Sequence, residues 1–244
     1  MRLPLSFWLV GFFSLCLGVR GAAETLRIVA FGDSTTAPRG TMAVYATLLE
    51  RELNRADGSA VEVVNAGKSG NTTAIARRRF EADVLMRAPA VVIVQFGIND
   101  SMVDVWKTPP ANSPRVSLED YRTNLRHFVA ASRAVGAKVI LMTPNPLRWT
   151  PGMVTKYGRA PYDPAVPEGF NVVVARYAEA VRALAAELDA PLVDVARAFE
   201  DAEAIDALLL DGMHPNQAGH DLVARLLAEQ LRREAVVAAK GNSA

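Results

Sequence analysis

The chain of 244 residues has little cysteine, little histidine and little net charge. Its single cysteine, Cys16, excludes a disulfide within the chain and a metal site built from several thiolates. Three histidines leave few ligands for a zinc site. A formal net charge of +1 is not typical of the basic surfaces that bind nucleic acid. We therefore expect no metal centre and no nucleic-acid partner.

The first 23 residues have the pattern of a secretory signal peptide. Arg2 provides a positive start, residues 3–19 are uncharged and mainly apolar, and the small residues Gly21 and Ala23 precede a possible cleavage site. The main alternative is an uncleaved membrane anchor, for which this run is short and interrupted by proline and glycine. A lipoprotein would need a small residue before Cys16, where Leu15 stands.

Cleavage after residue 23 would change the remaining composition. It would remove two arginines, no acidic residue and the only cysteine, leaving 25 basic and 26 acidic side chains. The resulting protein would be secreted or periplasmic, without a stable membrane span. We expect residues 24–240 to form one domain and the protein to be a monomer.

Short apolar runs alternate with segments of helical periodicity along this region. The predicted strands are Leu26–Phe31, Val61–Val64, Val91–Phe96, Lys138–Met142 and Leu192–Val195. The predicted helices are Met42–Leu53, Thr73–Arg87, Ser117–Val135, Asn171–Leu188 and Asn216–Arg233. Continuously apolar strands separated by helices indicate a parallel sheet that is covered on both faces. Right-handed crossovers then give a doubly wound three-layer α/β/α sandwich.

Two long irregular stretches, Ser101–Val116 and Pro144–Gly169, follow the third and fourth predicted strands. Loops of this length in a compact protein are often functional. Both leave the carboxyl ends of strands, which is where ligands bind in open α/β sheets. A surface insertion that covers the sheet edge is an equally good interpretation.

Four short polar segments are predicted at this same edge. Ser34 follows the first strand, Gly70 and Asn99 lie in the loops after the second and third strands, and Asp211 and His214 precede the last helix. Each segment alone is also typical of an ordinary turn. Together they supply a hydroxyl, a backbone N–H, a neutral amide donor and a paired imidazole, which is a complete set for acyl transfer.

The second segment contains Gly67, Lys68 and Ser69, which suggests a phosphate-binding loop. That motif needs another glycine five residues before Gly67, and Glu62 stands there. We therefore reject a phosphate loop. Because Gly70 lacks a Cβ atom, its N–H can approach an oxyanion without obstruction.

The ordered blocks Gly-Asp-Ser, Ser-Gly-Asn, Gly-Ile-Asn-Asp and Asp-Gly-Met-His-Pro resemble those of the SGNH hydrolase superfamily, the GDSL-type esterases and lipases. They extend from Phe31 to Pro215. The resemblance implies a flavodoxin-like fold with a five-stranded parallel sheet. It also implies roles for the residues at the matching positions. These are nucleophile (Ser34), general base and acid (His214), orienting carboxylate (Asp211) and three oxyanion donors (Ser34 N–H, Gly70 N–H and the Asn99 amide).

One position departs from the GDSL signature, since Thr35 stands where that signature has leucine. The threonine is similar to the rhamnogalacturonan acetylesterase branch and to other carbohydrate esterases. Because this residue does no chemistry in the family, the change affects the expected substrate and not the expected activity. The family's mechanism is a two-step ester hydrolysis that needs no cofactor.

The expected substrate is therefore an acetyl or other short acyl ester, on a carbohydrate or a small molecule. Aromatic side chains of the two irregular stretches, Trp106, Trp149 and Tyr157, offer stacking surfaces for sugar rings, and Arg148 offers a partner for a uronate carboxylate. Packing within the loops is the alternative for these aromatic residues.

Other functions remain open from the residues alone. They are a lysophospholipase or thioesterase, a carbohydrate O-acyltransferase, and a non-catalytic carbohydrate-binding protein on the same fold. Two further groups are expected to be solvated and without function, namely the run Arg77–Arg79 and His220 on the last predicted helix.

Overall fold

The computed structural model describes residues 25–56 and 60–241, so the predicted signal peptide lies outside the described residues. The strands are β1 Leu26–Gly32, β2 Val61–Gly67, β3 Val91–Gln95, β4 Lys138–Met142 and β5 Leu192–Val193. The helices are α1 Tyr45–Ala56, α2 Thr73–Arg77, α3 Phe80–Asp83, α4 Ile98–Ser101, α5 Leu118–Ala134, α6 Pro151–Tyr157, α7 Val174–Glu187, α8 Val195–Glu200 and α9 Gln217–Gly241. Single 3₁₀ turns occur at Leu85–Arg87 and Ile205–Leu208.

The five strands form one parallel sheet in the order β2-β1-β3-β4-β5. This is the strand order of flavodoxin-like folds, and it confirms the predicted architecture. The strand order reverses between β1 and β3. The chain that follows β1 continues toward the β2 edge of the sheet, and the chain that follows β3 continues toward the β5 edge. A crevice therefore opens at their carboxyl ends, where Ser34 and Asn99 follow.

Alternate side chains of β1 point into two separate apolar layers. Ile28 and Ala30 belong to a cluster with residues of α1, α8 and α9. Val29 and Phe31 belong to a second cluster with residues of α2, α3, α5 and α7. Both faces of the sheet are thus covered by helices, which explains why the central strands are continuously apolar.

The helix predicted at Thr73–Arg87 is wrong as a single element. It is divided into α2, α3 and a 3₁₀ turn, with Thr72 capping α2 by accepting the N–H of Ile75. The first break lies at Arg79, whose side chain turns inward to bond main-chain oxygens of other segments. A tertiary contact of one arginine thus overrides a helical periodicity.

Other boundaries differ for local reasons. β5 ends at Val193 because Asp194 caps α8 by accepting the N–H of Arg197. The second irregular stretch contains α6, which Thr150 caps by accepting the N–H of Met153. Ser117 caps α5, since its Oγ accepts the N–H of Asp120. None of the helices within the described residues combines the length and the apolar character needed to cross a membrane.

The interpretation of His220 as a solvated side chain is also wrong. His220 is 1 % exposed, and its Nδ1 accepts the backbone N–H of Tyr45 at 3.2 Å. Burial, with a smaller contribution from the Arg39 charge, lowers the pKa of His220 to about 4. This histidine therefore stays neutral and joins α9 to the start of α1.

Candidate active site

Ser34 lies in the turn that follows β1, at the carboxyl edge of the sheet. Thr35 closes this turn, because its backbone N–H and its hydroxyl both lie 2.9 Å from Asp33 Oδ1. The same hydroxyl lies 3.1 Å from Gln95 Oε1 on β3. A leucine at position 35 has no polar side-chain atom for these contacts. The threonine therefore anchors the Ser34 turn to the central strand.

His214 joins Ser34 to Asp211. Its Nε2 lies 2.9 Å from Ser34 Oγ, and its Nδ1 lies 2.8 Å from Asp211 Oδ2. Asp211 Oδ1 also accepts the backbone N–H of His214 at 2.8 Å. Partial burial alone would raise the pKa of Asp211, but these bonds from His214 outweigh burial and hold it below its usual value. The carboxylate therefore fixes the ring with Nε2 directed at the serine.

The loop that carries His214 is fastened to the chain that leaves β4. The backbone N–H of Arg148 donates to the carbonyl of Gly212 at 2.7 Å, and Asn145 Nδ2 donates to the carbonyl of Met213 at 2.9 Å. Gly212 has a φ of +80°, and an added Cβ would lie 2.5 Å from the Arg148 carbonyl oxygen. A glycine is required here on both counts. This explains the glycine of the Asp-Gly-Met-His block.

Two backbone N–H groups near Ser34 are available to a ligand. Within residues 25–56 and 60–241, the N–H groups of Ser34 and Gly70 donate to no protein acceptor. Gly70 has a φ of +75°, and no atom lies within 4 Å of the position that its Cβ would take. The positive φ angle, and not a lack of space for a side chain, therefore favours glycine at this position.

The Asn99 side chain bridges three segments around this point. Its Nδ2 donates to the carbonyl of Asn71 at 3.1 Å and, over a longer 3.4 Å, to Asp33 Oδ2. Its Oδ1 accepts from Arg115 Nη1 at 3.3 Å. Because an arginine can only donate, the amide is oriented with its NH₂ group toward the Ser34 turn.

Arg115 is itself held by a carboxylate. Its guanidinium donates to both oxygens of Asp104, with the shortest bond 2.7 Å long, and Lys107 Nζ lies 2.7 Å from the same carboxylate. Burial alone would raise the pKa of Asp104, but the bonds from Arg115 and Lys107 lower it to about 2. Asp104 therefore stays ionised and keeps Arg115 in place beside Asn99.

Two further carboxylates are buried behind the site. Asp33 is 1 % exposed and Asp100 is fully buried, with Asp100 Oδ1 accepting the N–H and hydroxyl of Thr73 at 2.8 and 2.5 Å. Burial raises the pKa of Asp33, and it raises that of Asp100 to about 7. Asp100 links the helix that carries Asn99 to the start of α2, immediately after the Gly70 loop.

Arg79 contradicts the expectation that the Arg77–Arg79 run is solvated. Its guanidinium donates to the carbonyls of Gly32 and Ala66 at 3.0 and 2.8 Å and to Asn71 Oδ1 at 2.7 Å. It also lies 4.5 Å from the centre of the Phe31 ring. One arginine thus connects the ends of β1 and β2 with the Gly70 loop. No local sequence signal distinguishes it from the two neighbouring arginines.

A cavity of about 410 Å³ opens beside the Ser34 site. Its lining includes Asn99, Arg115 and Asp211 together with residues of the α6 segment, among them Lys156 and Tyr157. The two irregular stretches of the sequence therefore meet over the carboxyl edge of the sheet. The cavity is large enough for a small ligand and is open to solvent.

The structure separates the four residues expected to bind substrate. Tyr157 lines the cavity but is only 4 % exposed, and Trp106 is 44 % exposed in the adjoining loop. Trp149 stacks on Phe170 with ring centres 4.5 Å apart, and its indole N–H donates to the Val166 carbonyl. Arg148 pairs with the carboxylate of Glu168. Arg148 also lies 3.6 Å from the Asp206 carboxylate, and neither Arg148 nor Trp149 lines the cavity.

No set of metal ligands surrounds Ser34. Across the part of the chain that the structure describes, no three or more His, Cys, Asp or Glu side chains come together in a way that could hold a metal ion. The chemistry that this site offers is that of a hydroxyl, an imidazole and neutral N–H donors.

Comparison with known proteins gives a consistent family. Residues 30–222 match the profile of the GDSL-like lipase/acylhydrolase family. The uncharacterized lipoprotein YqeF of Bacillus subtilis is 32 % identical over 207 residues, covering 79 % of this chain and 82 % of that protein. An acetylxylan esterase of Geobacillus stearothermophilus is 31 % identical over 182 residues, covering 70 % of this chain and 72 % of that protein.

A solved structure shows the same fold. The crystal structure of Axe2, an acetylxylan esterase from Geobacillus stearothermophilus, matches with a TM-score of 0.66 and 25 % identity, covering 84 % of this chain and 93 % of that one. Axe2 structures include catalytic mutants of a serine, an aspartate and a histidine, the last two being three positions apart. Asp211 and His214 have the same spacing here.

Proposed function

The chain belongs to the GDSL-like lipase/acylhydrolase family, and on that basis we propose that it is a serine esterase for acetyl esters of carbohydrates. Its family and its esterase relatives make it a carboxylic ester hydrolase. The observation that carries the finer proposal is the hydrogen-bonded series from Ser34 Oγ through the His214 ring to Asp211. Such a series activates a hydroxyl at neutral pH.

The first half of the reaction forms an acyl-enzyme. Ser34 Oγ attacks the carbonyl carbon of the ester while His214 Nε2, 2.9 Å away, takes the hydroxyl proton. Asp211 stabilises the imidazolium that results. His214 then returns the proton to the leaving sugar hydroxyl as the carbon–oxygen bond breaks, and the acyl group stays on Ser34.

The tetrahedral intermediate needs donors aimed at its negative oxygen. The N–H groups of Ser34 and Gly70 and the Asn99 amide supply them in our proposal. Asn99 Nδ2 lies 3.4 Å from Asp33 Oδ2, which is a long and weak hydrogen bond, so an oxyanion can compete for this donor. Arg115, on the amide oxygen, keeps the NH₂ group in the orientation needed.

The second half of the reaction is hydrolysis of the acyl-enzyme. A water molecule gives a proton to His214 Nε2 and attacks the acyl carbonyl carbon. The same three donors bind the negative oxygen of the tetrahedral intermediate that results. His214 then protonates Ser34 Oγ, and the acid is released. At the end of the cycle every residue has returned to its starting protonation state, so the protons balance without a cofactor.

The proposed substrate rests on three observations. The chain is similar to an acetylxylan esterase over most of its length. Thr35 stands in place of the signature leucine, which resembles the rhamnogalacturonan acetylesterase branch and other carbohydrate esterases. The 410 Å³ cavity is lined by Arg115, Lys156 and Asp211 beside the apolar side chains Met102, Met153 and Met213, so it offers charged partners for sugar hydroxyls next to an apolar surface.

Acetate release from acetylated xylan and hydrolysis of p-nitrophenyl esters of increasing chain length test the proposal together. We expect short chains to be preferred, acetate to be released from the polysaccharide, and Ser34→Ala and His214→Ala each to lose kcat by about 10⁶-fold. His127→Gln is the matched histidine control, because His127 lies on α5 against Phe80 and Phe128, away from Ser34.

The possible outcomes separate the parts of the proposal. Activity that survives in Ser34→Ala would reject the proposed nucleophile. A preference for long acyl chains with no acetate release would reject the carbohydrate substrate. It would not affect the roles proposed for Ser34, His214 and Asp211. Acetyl transfer to an added acceptor sugar, faster than to water, would indicate an O-acyltransferase.

We also propose that the protein is exported and acts as a single-domain monomer. Residues 1–23 carry the signal-peptide pattern, and one relative is named as a lipoprotein. Expression in a bacterial host followed by N-terminal sequencing of the secreted or periplasmic protein tests cleavage before Glu24. A product that still begins at Met1 would contradict it, and sedimentation of the purified protein would test the monomer.

A further inference from the structure

Trp106 differs from the other aromatic side chains that the structure describes, because it alone is exposed. It lies in the irregular segment between α4 and α5. Lys156 Nζ lies 4.8 Å from the centre of the indole ring and Lys107 Nζ lies 5.7 Å from it. Although both lysines contact the ring, 44 % of the Trp106 surface remains open. An exposed indole flanked by two ammonium groups offers an apolar face and positive charge to a ligand.

This surface adjoins the proposed site of ester cleavage. The 410 Å³ cavity beside Ser34 is lined by Asn99, Arg115 and Lys156. A second cavity of about 630 Å³ is lined by Trp106, Lys107 and Arg115. Arg115 borders both cavities, and Lys156 reaches from the first toward the Trp106 ring. We call the second cavity, together with Lys156, the Trp106 cleft.

The Trp106 cleft carries an excess of positive charge. Its cations are Lys107, Arg115 and Lys156, and its one carboxylate, Asp104, is bound by both Lys107 and Arg115 at 2.7 Å. Within the described residues, Lys156 Nζ has no carboxylate at ion-pair distance. With Asp104 ionised, the cleft has a formal charge of +2, in a chain whose total charge is near neutral.

We propose that the Trp106 cleft binds a hexuronate unit of the acylated oligosaccharide, next to the sugar that carries the ester. The uronate ring stacks on Trp106, and its carboxylate pairs with Lys156. This inference rests on the proposed function, since it concerns the carbohydrate part of the same substrate. The uronate contact that Arg148 was expected to make is assigned here to Lys156, because Arg148 is paired with Glu168 and Asp206 and lines neither cavity.

Both the shape and the charge of the Trp106 cleft suit a uronate. A sugar ring presents a flat face of C–H groups, and an open indole offers a large, rigid apolar surface to cover it. A neutral xylose unit would use the indole but would leave the Lys156 ammonium with only its contacts to the Trp106 and Tyr157 rings and no carboxylate. A carboxylate on the neighbouring sugar gives that charge a partner, and the Arg115 and Lys107 charges raise its local concentration.

The test compares acetate release from acetylated xylo-oligosaccharides with and without a glucuronate branch. The readout is the ratio of kcat/KM for the acidic substrate to that for the neutral one. We expect a ratio of about two to five in the wild type, the effect of one exposed ion pair. The ratio should approach one in Lys156→Gln and fall below one in Lys156→Glu. Added salt should reduce it in the wild type.

Lys138→Gln is the matched control, because Lys138 is an exposed lysine at the opposite, amino-terminal end of β4. It should keep the wild-type ratio. Trp106→Ala should raise KM for both oligosaccharides, since stacking does not depend on the carboxylate. Circular dichroism checks that each variant is folded, and a ratio is insensitive to the fraction of active protein.

Each result supports or overturns the inference. A wild-type ratio of one, or a ratio that persists in Lys156→Gln, overturns the uronate subsite and leaves the carbohydrate esterase standing. Failure to deacetylate either oligosaccharide, with p-nitrophenyl acetate still hydrolysed, overturns both the subsite and the carbohydrate substrate. A ratio that falls equally in Lys138→Gln would show a general charge effect and would also overturn the subsite.

Discussion

Arg79 Nη2 donates to the carbonyl oxygen of Gly32 at 3.0 Å, two residues before Ser34. The same guanidinium bonds Ala66 and Asn71. It therefore holds the end of the strand that leads to the proposed nucleophile against the loop that supplies one of the proposed oxyanion donors, the Gly70 N–H. Arg79 adds to the pairing of β1 with β2 in fixing the relative position of these segments, and no catalytic step uses it, so it is a positioning residue.

Replacing Arg79 should affect turnover more than substrate binding. Arg79→Met removes the hydrogen bonds to the Gly32 and Ala66 carbonyls, to Asn71 Oδ1 and to Asp83 Oδ2, and we expect the unfolding free energy to fall by about 2–3 kcal/mol. At a temperature where the variant is folded, kcat should fall tenfold or more with a smaller change in KM. Arg79→Lys should recover part of kcat. Arg78→Met, at an exposed neighbour, is the control and should behave as the wild type.

Asn99 provides a test of the proposed oxyanion site. Asn99→Ala should lower kcat by about 10²–10³-fold, as for the loss of one oxyanion donor. Asn99→Asp keeps the shape but replaces the NH₂ donor with an acceptor, so it should be at least as damaging. Steady-state kinetics on p-nitrophenyl acetate measure both. An Asn99→Asp enzyme as active as the wild type would show that this amide does not contact the oxyanion.

Asp211 should matter less than the histidine that it orients. Asp211→Asn keeps a group near His214 Nδ1 but removes the charge that stabilises the imidazolium. We expect kcat to fall by about 10²–10⁴-fold, short of the loss expected for His214→Ala. Pre-steady-state kinetics would place the loss in both acylation and deacylation. An equal loss in Asp211→Asn and His214→Ala would instead indicate that the histidine loop had moved.

Asp100 should make stability depend on pH in a definite direction. Its pKa is raised from an unfolded value near 3.9 to about 7, so between these values the folded protein binds more protons than the unfolded one. Its contribution to stability is therefore present at acid pH and is lost as the pH rises toward 7, by up to about 1.4 kcal/mol per pH unit.

Asp100→Asn removes this dependence while keeping an oxygen for Thr73. Chemical denaturation from pH 5 to pH 8 should show the unfolding free energy of the variant rising relative to that of the wild type as the pH increases. Glu81→Gln, at an exposed position of α3, is the charge-matched control and should show no such trend. A constant difference between Asp100→Asn and the wild type would mean that Asp100 is ionised throughout.

The sequence predicted the sheet because its signal is local. Apolar runs at Ile28–Phe31 and Val91–Val94 require cover on both faces, and the polar residues that follow them mark the strand ends. Since parallel strands share one carboxyl edge, the blocks containing Ser34, Asn99 and His214 were expected together. In the structure Ser34 bonds His214, and Asn99 bonds Asp33, the residue before Ser34.

What the sequence did not predict depends on contacts between distant positions. Arg79 resembles Arg77 and Arg78 in composition, and only the carbonyls of Gly32 and Ala66 distinguish it. His220 is polar and next to Asp221, yet a single N–H from Tyr45 makes its burial possible. Such partners lie tens to hundreds of residues away, and periodicity within one segment contains no information about them.

The contact between Ser34 and His214 joins residues 180 positions apart. A chain that has collapsed and formed its helices still lacks this contact until the turn after the first strand meets the loop before the last helix. Closing so long a loop is entropically costly and belongs to the slow stages of folding. Recovery of ester hydrolysis during refolding therefore measures the fraction of molecules in which Ser34 and His214 have met. It should lag behind the recovery of secondary structure measured by circular dichroism.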